Sequence, residues 1–174
     1  MSRSNCCHKF IVKKVDLEQK KRKICKRCGF VDYKNPKIVT GSVVIKNNKV
    51  LLCKRAISPS YGKWTFPSGY LDESETPEEG AIREAKEEVN IKIKLQKLLI
   101  VFTVKKKNLI QFVFLAKHLN KTFKPGIETL EARYFDYKEI PWKTLAFPSV
   151  SFVLKKINKL PKYLPIFHSF NNDY

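Results

Sequence analysis

Three carboxylates fall at positions 84, 87 and 88, inside the run Arg83-Glu84-Ala85-Lys86-Glu87-Glu88. On an α-helix, residues three and four apart share a face, so Glu84, Glu87 and Glu88 point the same way. Like charges placed so closely weaken an isolated helix. Hard oxygen ligands converging on one spot suit a divalent cation such as Mg2+ or Mn2+. A solvated surface helix is the plain alternative, but few of these acids have a basic partner at i+4. A second chemistry-bearing group lies upstream. Cys25-Lys26-Arg27-Cys28-Gly29 sets two thiols two residues apart over a glycine turn, the knuckle of a tetrahedral zinc site. Cys6, Cys7 and His8 precede it by about a ribbon length, and two of these three would complete the ligand set. Cys53 lies in an apolar strand and reads as a core residue.

Strands and two helices must position these groups. The β-branched run at 37–45 reads as a buried strand, and Asn47-Asn48 turns it into a second strand through Arg55. A loop at 56–63 and Trp64-Thr65-Phe66 lead to the Pro67-Ser68-Gly69 turn. Thr76 is an N-cap and Pro77 a first helical residue, so the acidic run is a helix. Ile82, Ala85 and Val89, with Ala81 beside them, form its expected buried stripe. Strand-like stretches follow at 91–104, 109–117 and 131–137, then an amphipathic helix at 148–159 and a loosely held tail at 160–174. The order predicts an α/β sandwich on a mixed sheet. The expected divisions are a basic, cysteine-bearing segment at 1–36, a catalytic domain at 37–160 and a tail at 161–174.

The formal net charge is +19, with six arginines among the 35 basic residues. Readers of base sequence rely heavily on arginine forks, so RNA contact is a secondary expectation. A lysine-rich field still attracts a polyphosphate substrate. No apolar run approaches the ~20 residues that cross a bilayer, and the first eight residues lack the apolar core of a secretory signal. A cytoplasmic, reducing setting is therefore expected, in which cysteines serve as metal ligands or core residues.

Residues 69–91 resemble the Nudix box, G-x5-E-x7-R-E-U-x-E-E-x-G-U. Gly69, Glu75, Arg83-Glu84, Ala85, Glu87-Glu88 and Ile91 occupy its defined positions. The last glycine is Asn90, the usual second choice for a left-handed helix end. The joint Cys28-Gly29-Phe30 with Tyr33-Lys34-Asn35-Pro36 is similar to that of ribbon-bearing Nudix hydrolases. Glu128-Thr129-Leu130-Glu131 and Leu145-Ala146-Phe147 place the chain nearest the plant-type FAD/ADP-ribose pyrophosphatase branch.

The resemblance implies a Nudix-type α/β/α sandwich preceded by a small zinc ribbon, and metal-dependent hydrolysis of a nucleoside diphosphate joined to another group. Glu84, Glu87 and Glu88 would hold Mg2+ or Mn2+, with the Gly69 carbonyl as an added ligand. Arg83 and Glu75 would orient the box. The general base would be a box glutamate or Glu131. Trp64, Phe66, Tyr70, Phe112 and Phe147 are candidates to stack on a base, and Lys54 and Arg55 to meet phosphate. Alternatives are hydrolysis of oxidised nucleoside triphosphates, trimming of RNA 5′ ends, or a non-catalytic nucleotide- or RNA-binding module. A homodimer is an expectation of the superfamily.

Overall fold

The computed structural model describes residues 6–15, 20–119, 123–157 and 165–170. The chain divides into two compact units, Met1–Asn35 and Pro36–Tyr174. The first is a three-stranded antiparallel sheet of β1 (Phe10–Lys14), β2 (Lys21–Cys25) and β3 (Val31–Asp32).

The second unit contains β4 (Lys37–Lys46), β5 (Lys49–Arg55), β6 (Trp64–Thr65), β7 (Ser68–Tyr70), α1 (Pro77–Val89), β8 (Ile93–Val104), β9 (Leu109–His118), β10 (Thr129–Phe135), α2 (Pro148–Lys156) and β11 (Ile166–Phe170). Its sheet runs β10-β5-β4-β9-β8-β11, with β6 on β5 and β7 on β4. The β4–β9 and β8–β11 pairs are parallel and the others antiparallel, so the sheet is mixed.

Both faces of the sheet are covered, which explains its uninterrupted apolar runs. Val44, Leu51, Cys53 and Ala116 pack with Ala85 and Val89 of α1. Their neighbours Val43, Leu52 and Val113 pack with Val150, Val153 and Leu154 of α2. Successive residues of one strand thus feed opposite cores. Asn47 and Asn48 carry the β4–β5 turn at φ 50° and 58°, the left-handed pair that a two-residue hairpin requires.

Three sequence expectations shift. Ile82 is 42 % exposed; the buried side of α1 is Gly80, Ala81, Glu84, Ala85, Glu88 and Val89. The helix is rotated so that two acids, rather than the isoleucine, lie toward the sheet. The tail contains an edge strand, β11, paired with β8 from Ile166↔Ile100 to Phe170↔Val104. His168 stacks on Phe152 at 4.4 Å and Phe170 lies 5.3 Å from Phe102, so aromatic packing holds this strand. The rest of the expected tail, and positions 158–159 of the closing helix, lie outside the described residues. The last central strand spans Thr129–Phe135 rather than 131–137.

Thr76 opens α1 with a capping box: its side chain accepts from the Glu79 N–H, and the Glu79 carboxylate accepts from the Thr76 N–H. Thr76→Ala should lower unfolding stability by ~1 kcal/mol, read as a shifted urea midpoint with an unchanged slope.

Candidate functional site

Arg83 is the hub of the acidic helix. Its Nε and Nη2 donate to the two oxygens of Glu75, each at 2.9 Å. Nη1 donates to Glu84 Oε1 at 2.7 Å and to Glu87 Oε2 at 3.0 Å, while Nη2 also reaches the Tyr70 carbonyl at 2.9 Å. One guanidinium therefore ties the β7 turn, the loop before α1 and two box acids together, using a planar fork that lysine lacks. Its bonds to Glu75 lead in raising the guanidinium above its ordinary value and in holding Glu75 below the usual carboxylate range.

The box acids differ in environment. Glu87 is exposed. Glu84 and Glu88 are buried against the sheet. Burial raises Glu84, with the charges of Glu87 and Glu128 adding to it and Arg83 opposing. Burial pushes Glu88 to about 8, although the Cys53 thiol, the Arg55 charge and the Ser68 N–H all favour its ionised form. The thiol donates to Glu88 Oε2 at 3.2 Å and to the Thr65 carbonyl at 3.3 Å, so Cys53 is a buried partner of the acid as well as a core residue. Burial and the Glu88 charge hold that thiol well above its ordinary value. A Cβ at Gly69 would meet the Glu84 carboxylate and displace it from the position in which Arg83 holds it.

The end of α1 positions a further acid. Asn90 adopts φ 52° and ψ 37°, and its side-chain amide donates to the Lys124 carbonyl at 3.0 Å. The Lys124 N–H donates to the Val89 carbonyl at 3.0 Å and the Gly126 N–H to the Glu88 carbonyl at 2.7 Å. A Cβ on Gly126 would strike the Glu87 carbonyl, so this docking needs glycine. The docked loop carries Glu128, whose charge is felt at Glu84. Sequence reading left Glu128 out of the candidate set. Its signal was an acid two residues beyond Pro125-Gly126, which only the docking makes meaningful.

Other candidates fall elsewhere. Glu131 lies opposite Lys54 in the β10–β5 register, while Ala132 lies opposite Cys53. Alternation therefore puts Glu131 on the side of the sheet away from Glu88. Phe66 is fully enclosed in the core, and Trp64 is buried edge-on against Phe135 at 4.9 Å, with Lys54 over its ring. Neither indole nor phenyl face is open to a base. Phe112 is half-buried beside Thr40. Tyr70 and Phe147 keep ring surface at the solvent boundary. Arg55 lies over the Phe147 ring at 5.3 Å and donates to the Pro59 carbonyl at 2.8 Å. An open groove of about 500 Å3 borders Arg83 and Glu87 on the outer side of α1. The small cavity of about 40 Å3 beneath α2 is far below nucleotide size.

In the first unit, Cys6, His8, Cys25 and Cys28 bring one ligand atom each within 4.8 Å of all the others. Cys6 Sγ lies 3.8 Å from Cys25 Sγ, and Cys28 Sγ 3.5 Å from His8 Nδ1. Bond lengths to zinc of ~2.3 Å for sulfur and ~2.0 Å for nitrogen give tetrahedral edges of about 3.5–3.8 Å. Cys7 is exposed and stands outside the set. Although burial opposes ionisation, the Cys28 N–H, His8 and the Arg27 and Lys9 N–H groups bring Cys25 to about 5. Burial and the neighbouring Cys28 and Cys25 thiols push Cys6 to about 11.

Residues 36–154 match the NUDIX domain. An ADP-ribose pyrophosphatase from Methanocaldococcus jannaschii is 32% identical over 137 residues, 76% of this chain and 75% of that one. An 8-oxo-dGTP diphosphatase from Proteus vulgaris is 36% identical over 64 residues, 36% of this chain and 57% of its own. A crystal structure of a NUDIX hydrolase from Nitrosomonas europaea superimposes with a TM-score of 0.87 at 35% identity, covering 97% of this chain and 98% of that one. The chain belongs to the Nudix family. It is a Nudix pyrophosphatase, a hydrolase of pyrophosphate bonds with the Nudix fold. Among the described residues, no helix is long and apolar enough to cross a membrane.

The buried acids set a pH test. Unfolded, Glu88 ionises near 4.5, whereas folded it holds its proton to about 8. The unfolded chain releases that proton first as pH rises. Folded-state stability is therefore lost between those two values, and Glu84 shifts in the same direction. Without added magnesium, the melting temperature should fall across this window. Added Mg2+ should flatten the fall, and Glu88→Gln should remove most of it; an unchanged slope in that variant would show that Glu88 is not responsible.

Proposed function

We propose that the chain hydrolyses the pyrophosphate of a nucleoside diphosphate joined to a second group, with ADP-ribose as the leading substrate and FAD a related one. The sharing of the Arg83 guanidinium by Glu84 and Glu87, with Glu88 one residue on and buried beside Cys53, carries this reading. The name of the archaeal relative supports ADP-ribose.

The donor set fits Mg2+ or Mn2+: oxygens alone, with two of the carboxylates buried at a cost that a dication offsets. Glu84, Glu87, Glu88 and the Gly69 carbonyl would hold it. When bound, the cation would screen the phosphates and acidify the attacking water. Arg83 fixes Glu84 and Glu87 in their relative positions. Glu75, held ionised by Arg83, keeps that guanidinium from turning toward substrate. Glu128, aligned by the Asn90–Lys124 docking, is the proposed general base in preference to Glu131. Arg55, beside Phe147 and felt electrostatically at Glu88, is placed to receive a phosphate oxygen. Phe147 and Tyr70 offer the stacking surfaces.

We assign the segment 1–36 as a zinc ribbon with Cys6, His8, Cys25 and Cys28 as ligands, 37–160 as the catalytic domain, and a cytoplasmic location. The ligand spacing and the small apolar content of the first unit support zinc as a structural staple.

A panel of ADP-ribose, FAD, NADH and 8-oxo-dGTP with Mg2+ or Mn2+ tests the substrate class. ADP-ribose should give the highest kcat/KM and release AMP. A dominant rate on 8-oxo-dGTP would favour the triphosphate reading, to which the Proteus vulgaris relative points. Glu87→Gln should abolish measurable turnover with the fold intact. Glu128→Gln should lower kcat by roughly a hundredfold or more, whereas Glu131→Gln should change it little. The reverse pattern would restore Glu131 as the base. Elemental analysis should find one zinc per chain, lost in Cys25→Ser and retained in Cys7→Ser.

A further inference from the structure

The first unit carries a surface that hydrolysis does not use. In β1, Phe10, Val12 and Lys14 alternate on one side, and the register sets Cys25, Lys23 and Lys21 beside them on β2. The opposite side holds Ile11, buried Ile24 and Val31. The solvent side should then be polar. Instead, Phe10 is 43 % and Val12 64 % exposed, and Phe30 is exposed 6.4 Å from Phe10.

Charge placement is equally unfavourable for stability alone. Lys14 lies directly opposite Lys21, and Lys13 opposite Arg22. Like charges in facing positions destabilise a strand pair. The first 35 residues hold eleven lysines and arginines against three acids. On the exposed side of the strands, Asp32 is the one acid among the described residues, next to Lys23.

We propose that this face binds a single-stranded nucleic acid. Lys14, Lys21 and Lys23 would follow its phosphates, while Phe10 and the face of Phe30 not stacked on His8 would receive its bases. Rings beside a basic track suit unpaired bases, because a duplex keeps its base faces covered. Reliance on lysine point charges suits sequence-independent binding. An acidic peptide would satisfy the lysines but leave the exposed Phe10 ring and the outer face of Phe30 unused. The surface lies wholly within the first unit, so the inference does not depend on which pyrophosphate is cleaved.

The test is fluorescence anisotropy of the full, zinc-replete chain with a labelled mixed-sequence RNA of about 15 nucleotides, near the upper site size of such modules. Magnesium is omitted to prevent turnover. Log affinity should fall linearly with log salt, by about 0.7 per phosphate engaged. The double variant Lys14→Glu, Lys21→Glu should bind roughly tenfold more weakly or worse, with a shallower salt slope. Phe10→Leu should weaken binding at an unchanged slope. Both should keep one zinc per chain and parental turnover of small nucleotides; if the double variant loses zinc, Lys14→Gln with Lys21→Gln replaces it. Lys105→Glu with Lys106→Glu, in the second unit, should leave binding intact. Parental affinity in the Lys14 and Lys21 variant overturns the proposal. So does equal competition by duplex RNA, or capture by phosphatidylglycerol vesicles without oligonucleotide binding.

Discussion

The acidic face of α1 depends on one guanidinium holding acids that would otherwise repel. Glu75, Glu84 and Glu87 all bond to Arg83. A lysine at this position could neutralise charge, but its single ammonium could not donate along the fixed directions that Glu75, Glu84, Glu87 and the Tyr70 carbonyl demand. The neighbouring constraints follow from it. A side chain at Gly69 would push Glu84 away from Arg83, because the carboxylate occupies that space. The loop from Asp72 to Glu75 must close, because Glu75 has to reach Arg83 from before the helix while accepting the Asp72 N–H at 3.1 Å.

The same helix also controls what approaches its far end. Asn90 takes the left-handed turn normally given to glycine, and glycine would supply that conformation alone. The amide adds a bond to Lys124 that glycine could not make. That bond, with Gly126 on the Glu88 carbonyl, docks the loop whose Glu128 adds its charge to the field at Glu84. The one departure from the box pattern is thus a coupling between the helix and the loop after β9.

Much of this was legible in sequence because it is local. Helix start, helix end, hairpin turn and the spacing of the acids depend on residues within four positions of one another. The Cys/His cluster was half legible: the spacing picks out Cys25 and Cys28, but that Cys6 and His8 rather than Cys7 join them depends on the path of the segment before β1. Long-range facts stayed hidden. Ile82 follows the helical repeat as well as Ala85 does, and only the presence of Cys53 and Gly69 across from α1 explains why Glu84 and Glu88 turn inward. Glu131 and Glu128 are equivalent in composition; an irregularity in register between Thr129 and Glu131 and the alternation of β10 separate them. The β11 strand was hidden by Pro161 and Pro165, which made its surroundings read as a tail.

The overall charge makes the burial of these acids intelligible. A chain at +19 should repel a divalent cation and attract the polyphosphate. At physiological salt, however, charges beyond ~8 Å are largely screened, so distant lysines scarcely weigh on a cation at α1. What matters there is the local set: three box acids and Glu128 against Arg83 and Arg55. Carrying Glu84 and Glu88 out of water strengthens their pull on a cation, since a lower dielectric magnifies each attraction. It also raises the cost of leaving them ionised alone. Exposed acids would bind the ion weakly in competition with solvent. Acids buried without a cation hold protons instead, as Glu88 does up to about 8 even with the Cys53 thiol beside it. Glu87 is open to water and Glu88 enclosed, a gradient that would give a cation both a route in and a reason to stay.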